Sequence, residues 1–250
     1  MSCRAAIFFD GEGLARCVSN YGEKMDQKIP FTSYDFWAYL SAGFMLLFAI
    51  DQAVGAKLLM RNSWTVVQGV IAVSVAYTVG QLVASFSSWI FEKVLVGKLL
   101  GYPRNVLFGQ PRAWPWVQRL LPSYFEPLPP ETQKAVLKKG GKMGVTQPGE
   151  ALFWPAHTAG RAMPAVATRM DNFLNLYGFC RNAALVGLMD AAILYWSYLQ
   201  PQGPEDHLLL ARIALVAGLG MTLRYLKFFR HFAVEVFTSY AFSIEPEKIP

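Results

Sequence analysis

The sequence predicts an all-α membrane protein with about four transmembrane helices, long cytoplasmic helical extensions and a small Pro/Trp-rich cytoplasmic insert. Three observations carry that expectation. The chain of 250 residues is 54% hydrophobic and 16% charged, whereas soluble domains hold closer to a quarter charged residues. The missing charge is concentrated in four stretches, with Lys and Arg crowded between them. Tryptophan, which prefers the headgroup level of a bilayer, falls at the ends of those stretches: Trp37, Trp64, Trp89 and Trp196, four of the seven in the chain.

A bilayer core of about 30 Å needs roughly 20 mostly apolar helical residues. The first span begins after Thr32-Ser33, a cap with Asp35 in the first turn, and runs from Phe36 to about Ala53. The second is Trp64 to Phe91, interrupted by uncharged polar residues such as Gln68 and Gln81. The third runs from Phe179 to Leu199 and the fourth from His207 to about Leu223. These place residues 1–30 in an N-terminal extension expected to be poorly ordered, with Met25 a natural start. Residues 31–100 form a first transmembrane hairpin with a cytoplasmic stem, 101–163 the insert, 164–242 a second hairpin with stems, and 243–250 a tail.

Lys and Arg set orientation, because they are retained on the cytoplasmic side. The N-terminal segment, the middle segment and the C-terminal tail together carry nineteen, and the two remaining loops carry two, Lys57 and Arg61. Both termini are therefore expected in the cytoplasm, in a multi-pass protein of the bacterial inner (plasma) membrane. The net charge of +6 then reads as flanking charge that meets anionic headgroups, and no nucleic-acid partner is expected.

Small residues let membrane helices approach closely. Ala72, Ala76, Gly80, Ala84 and Ser88 recur every four residues along the second span, Ala183, Gly187 and Ala191 along the third, and Ala214 and Gly218 along the fourth. The stripe on the second span suits either a tight bundle or a homo-oligomer interface. Runs uninterrupted by proline from Trp64 to Leu100 and, once opened by Pro164, on to Leu199, and a continuous one from Leu208 to about Phe242, predict helices reaching about 20 Å beyond the hydrocarbon. Within the insert, Pro130-Glu131 predicts a helix over Thr132 to Lys139, ended by Gly140-Gly141.

Charges inside spans are default pointers to function. Asp51, Asp190 and Arg212 are expected to pair, cancelling their desolvation cost. Trp114 and Trp116 flank Pro115 beside Arg112 and Arg119. With Arg224, Lys227 and Arg230, these are expected to contact the inner headgroups; burial of the two Trp in a small core is the alternative.

Catalytic and metal chemistry find no constellation. The three cysteines, Cys3, Cys17 and Cys180, form no CxxC or Cys–His spacing. His157, His207 and His231 lie far apart, and no cofactor motif is present. Asp10-Gly11, Ala15-Arg16, Gly22 and Asp26 approximate the acidic motif of CDP-alcohol phosphatidyltransferases. The spacing differs, however, and Pro30 stands where the last Asp belongs. A one-residue slip turns a helical side chain by about 100°, so no catalytic residue is carried over.

By elimination, the sequence predicts a non-enzymatic oligomeric anchor, scaffold or membrane effector for a cytosolic partner. Its architecture is analogous to that of small membrane proteins in bacterial defence. The alternatives are a small oligomeric channel or transporter lined by Gln68, Ser74, Tyr77, Thr78 and Gln81, and a membrane-embedded lipid enzyme.

Overall fold

The computed structural model describes residues 33–145 and 147–243. The extension over residues 1–30, the Met25 start and residues 244–250 of the tail lie outside them. Among the described residues every regular element is helical. Helix α1 is Ser33–Val54 and α2 is Val66–Ser87, continued by a π-helical segment, Ser88–Leu100. The insert holds α3 (Pro103–Val106), α4 (Pro115–Leu120), α5 (Pro122–Phe125), α6 (Pro130–Lys142) and α7 (Glu150–Arg161). Two long helices complete the chain, α8 (Pro164–Tyr198) and α9 (Glu205–Phe242). A compact unit begins at Trp37.

Local chemistry sets the helix ends. Thr65 and Gln68 form a capping box, the Thr65 hydroxyl accepting from the Gln68 N–H at 3.3 Å and Gln68 Oε1 from the Thr65 N–H at 3.1 Å. Two of the orphan donors at the α2 N-terminus are thereby satisfied. The π-helical segment stops at Gly101, whose φ of +93° lies where L side chains are strained. Proline opens α3 to α6 and α8 within their first turn, where its missing N–H has no helical partner to lose.

Two helices are long and apolar enough to cross a membrane, Val66–Val106 and Glu205–Phe242, and α1 holds a shorter apolar run, Ala38–Val54. Within the most apolar stretch of each long helix, 17% of residues are buried. The core helix of a soluble protein would bury most of its apolar face. Here Val67, Val70, Ile71, Leu82 and Phe86 of α2 and Leu209, Ile213, Val216 and Leu219 of α9 face outward. Outward apolar surface on that scale marks contact with a membrane or another protein.

The helices are held at backbone distance by glycine. A Cβ on Gly80 of α2 would lie 1.9 Å from the Tyr39 carbonyl oxygen of α1, and one on Gly43 would lie 1.7 Å from that of Ala76. In the second hairpin, a Cβ on Gly218 would meet Leu188 N at 2.9 Å, and one on Gly187 would meet Gly218 Cα at 2.8 Å. Ala76, Gly80 and Ala84 are thus buried within one chain, and Ala72 and Ser88 are half-buried at the ends of the stripe. At Ala76 and Gly80 this face of α2 is occupied by α1. On α8 the buried set is Ala184, Gly187 and Ala191, with Ala183 only half-buried.

The N-terminal half of α8 and the C-terminal half of α9 share a core with the insert. Leu107, Val136, Leu152 and Ala156 pack with Met170 of α8 and with Phe232, Val236 and Phe237 of α9. Each fully buried large apolar side chain contributes about 1.5–3 kcal/mol. The Tyr124 hydroxyl donates to Gly101 O at 2.8 Å, tying α5 to the end of the π-helical segment. Lys139 Nζ donates to Tyr240 O at 3.1 Å and Ser243 O at 2.8 Å, a cation on the carbonyl end of α9 where the helix dipole favours it.

One sequence expectation inside the insert is corrected. Gly140-Gly141 does not end α6, which continues to Lys142. Gly140 is buried there, with Leu152 Cδ1 2.6 Å from where its Cβ would sit. Its small size serves contact with α7, and the turn is made by Gly144, φ +80°.

Candidate membrane-interface site

The three charges expected inside spans do not meet. Asp51 is buried near the end of α1, where its carboxylate accepts the N–H groups of Leu58 at 2.8 Å and Leu59 at 3.0 Å. Those donors come from the turn that follows, so the carboxylate organises its own loop at little entropic cost. Arg212 is exposed, one residue past buried Ala211. That step turns it about 100° from the helix interface, and among the described residues it forms no ion pair. Asp190 faces the bundle and is buried, with Oδ1 lacking a hydrogen-bond partner. The expected Asp51/Asp190–Arg212 pairing is therefore replaced by one loop-organising carboxylate and two separated charges.

Another pair joins the two hairpins. Arg181 of α8 forms a salt bridge with Glu92 of the π-helical segment, the side chains 14% and 29% exposed. Arg181 Nε also donates to Ser87 Oγ at 3.1 Å, and the Ser87 hydroxyl donates to Asn182 Oδ1 at 2.6 Å. Ser87 and Asn182 are buried. Every group in this chain of contacts has a partner, which is the condition under which buried polar networks rigidify a core. The π-helical winding makes it possible. Ser87, Phe91, Val96 and Leu100 are all buried, spaced four, five and four residues apart. At about 100° per residue, an α-helix would carry Leu100 far from the face of Ser87, whereas the wider winding keeps all four inward. Glu92 and Arg181 escaped sequence reasoning because Glu92 falls just outside the second span, while Arg181, two residues inside the third, entered neither the flanking count nor the set of charges within spans. Their matching depth in consecutive hairpins was the usable signal.

Trp114 and Trp116 at the start of α4 are 67% and 61% exposed, which rules out burial in a small core. Their rings lie 6.3 Å apart at 31°. Arg112 and Arg119 beside them are exposed, as are Arg224 and Lys227 on α9. Arg112 Nη1 donates to Gly97 O at 3.2 Å, and the Arg224 guanidinium lies 5.3 Å from the Phe228 ring centroid. Arg230 departs from the expectation. It is half-buried and donates to Glu126 O at 2.8 Å, with the Glu126 carboxylate 3.6 Å away, so it docks the α5–α6 connection onto α9.

The histidines do structural work. His207 Nδ1 lies 3.0 Å from Ser197 Oγ, closing the turn end of the α8–α9 hairpin. His157 stacks on Phe153 and His231 on Phe173. Burial and then Arg161 hold His157 below the ordinary imidazole range, opposed by Asp171; burial, then Arg230 and Lys227, do the same to His231. Cys180 is buried as a free thiol. Among the described residues no His, Cys, Asp and Glu group could hold a metal ion. No family model, curated protein or solved structure matches this chain.

Proposed function

We propose that this chain is a non-enzymatic multi-pass protein of the bacterial inner membrane. In this reading it crosses the bilayer four times, keeps both termini in the cytoplasm, and serves as an anchor that presents its folded inner unit to a cytosolic protein. The observation that carries the reading is the outward apolar surface of α2 and α9, bounded inward by Trp114, Trp116, Arg224 and Lys227. Beyond that boundary lies an insert with its own apolar core, too large a structure for a mere connection between spans. Helix α8 completes the bundle by carrying Asn182 and Asp190 on its buried side, where neighbouring helices shield them from lipid.

An oligomer, if formed through α2, uses a different face from the Ala/Gly stripe, which α1 covers at Ala76 and Gly80. Ser74, Thr78 and Ser85 form an exposed stripe. Each hydroxyl donates to the carbonyl four residues earlier, at 2.8, 2.9 and 3.1 Å. Satisfied hydroxyls of this kind are tolerated at helix–helix contacts in membranes.

Topology is the decisive test. In a Cys-free background, Lys57→Cys and Arg61→Cys should react with an impermeant maleimide applied to intact cells, and Lys142→Cys should react only after permeabilisation. Labelling of Lys142→Cys from outside would overturn the four-crossing orientation. A cytosolic protein co-purifying with the full chain and lost on surface substitutions in residues 101–163 would support the anchor role; ion flux in liposomes would replace it with a channel.

A further inference from the structure

The inner rim holds a groove of about 570 Å³ between the π-helical segment, α4 and α9, within the size range of ligand clefts, roughly 300–1,000 Å³. Leu95, Leu99, Leu120, Leu223 and Leu226 give it an apolar lining. Lys98 and Arg112 are its charged members, and no acidic side chain lines it. Both cations are exposed. Arg112 uses one N–H on Gly97 O, leaving others of its five donors for a ligand, and Lys98 forms no ion pair among the described residues. The exposed indoles of Trp114 and Trp116 border the same groove.

A second cavity, about 490 Å³, lies against α4, α5 and α9 and provides a contrast. It holds Lys227, Arg230 and His231, but also Glu126, and Arg230 already bonds Glu126. An anion entering there meets a cation already committed and a like charge. The first groove has neither obstacle. Its position along α9 is also informative. The run of exposed apolar side chains from Leu209 ends at Leu223, apart from Phe242 near the helix end, and is followed by exposed Arg224 and Lys227, so the groove straddles the level where this apolar surface gives way to cationic surface.

We propose that this groove binds one anionic phospholipid, an acyl chain along its leucines and the phosphate on Lys98 and Arg112. The proposal rests on the membrane reading above and adds to it a stoichiometric lipid with a defined seat. Two uncompensated cations give charge-assisted contacts to a phosphate, while the apolar lining distinguishes a lipid from a free phosphate ion.

The full chain is first tested in native membranes for resistance to alkaline carbonate, then extracted in mild detergent. It is titrated with phosphatidylglycerol or phosphatidylcholine of identical acyl chains and read by native mass spectrometry. One phosphatidylglycerol should be retained with a preference of at least about tenfold over phosphatidylcholine, and inorganic phosphate should not displace it. K98Q/R112Q should remove the preference, K98R/R112K should keep it, and Lys138→Gln, exposed on α6, should leave it unchanged. Equal retention of the two lipids by the unaltered chain, or an unchanged preference in K98Q/R112Q, overturns the proposal while the membrane reading stands. Displacement by inorganic phosphate would identify a phosphate site in place of a lipid site, and release by carbonate would overturn both readings.

Discussion

Gly80 and Gly220 both lie in long apolar helices and meet opposite surroundings. A Cβ at Gly80 would strike the Tyr39 carbonyl, while nothing stands within 4 Å of the corresponding point at Gly220. Backbone cannot swing aside as a side-chain tip can. Gly80→Ala should therefore cost about 1–3 kcal/mol by overpacking, and Gly220→Ala should gain roughly 0.5–1 kcal/mol from helix entropy. Unfolding in detergent by thermal or SDS titration measures both, and equal effects would contradict the crossing geometry. His157 and His231 allow a second residue-scale prediction. Their folded pKa values lie below the ordinary imidazole value of about 6.5, so the unfolded chain binds more protons in acid. The stability they contribute is complete above about pH 6.5 and declines as pH falls below it. The unfolding midpoint should drop from pH 7 toward pH 5, and H157Q/H231Q should flatten that drop; parallel curves would assign the loss to other groups.

At the scale of elements, the π-helical segment and α8 are joined by Arg181, Glu92, Ser87 and Asn182. Removing one member of the ion pair leaves the other charge poorly solvated. Arg181→Met and Glu92→Met should each cost about 2 kcal/mol, and the double variant should cost less than their sum by about 0.5–3 kcal/mol. A double-mutant cycle in denaturant gives this coupling directly, and additivity would show the pair to be incidental. The sequence shows the ends of these elements better than their winding. Gly101-Tyr102-Pro103 stops the second long helix, and Pro164 opens α8, because backbone strain at glycine and the missing proline N–H act locally. A switch from α to π winding depends on which residues are buried together, and hydropathy along one helix does not report that.

Across the whole molecule, the stem of α9 is the platform on which the insert folds. Phe232, Ala233, Val236, Phe237 and Tyr240 form one side of a core whose other side includes Leu107, Val136 and Leu152. A chain stopped after Arg230 should keep its apolar hairpins but lose that platform. Trypsin cleavage at Lys134, Lys138 and Lys142 in the detergent-solubilised protein should accelerate by more than tenfold, since each 1.4 kcal/mol or so of lost docking raises the open population about tenfold. Unchanged cleavage would mean that the insert folds without the stem.

The sequence by itself determined the helical class, the apolar stretches and the abundance of basic residues between them, because composition and local backbone chemistry report those without knowledge of neighbours. It also identified glycine and alanine as contact residues, through their spacing. Only the tertiary structure decided what those residues touch: Gly80 meets α1 of its own chain, Arg230 meets Glu126, and Asp51 meets two amides of the next loop. Partner choice among charges depends on helix rotation and depth, which differ by a third of a turn for each residue and are set by packing across the bundle. The same rotation turns Arg212 outward and brings Arg181 to Glu92.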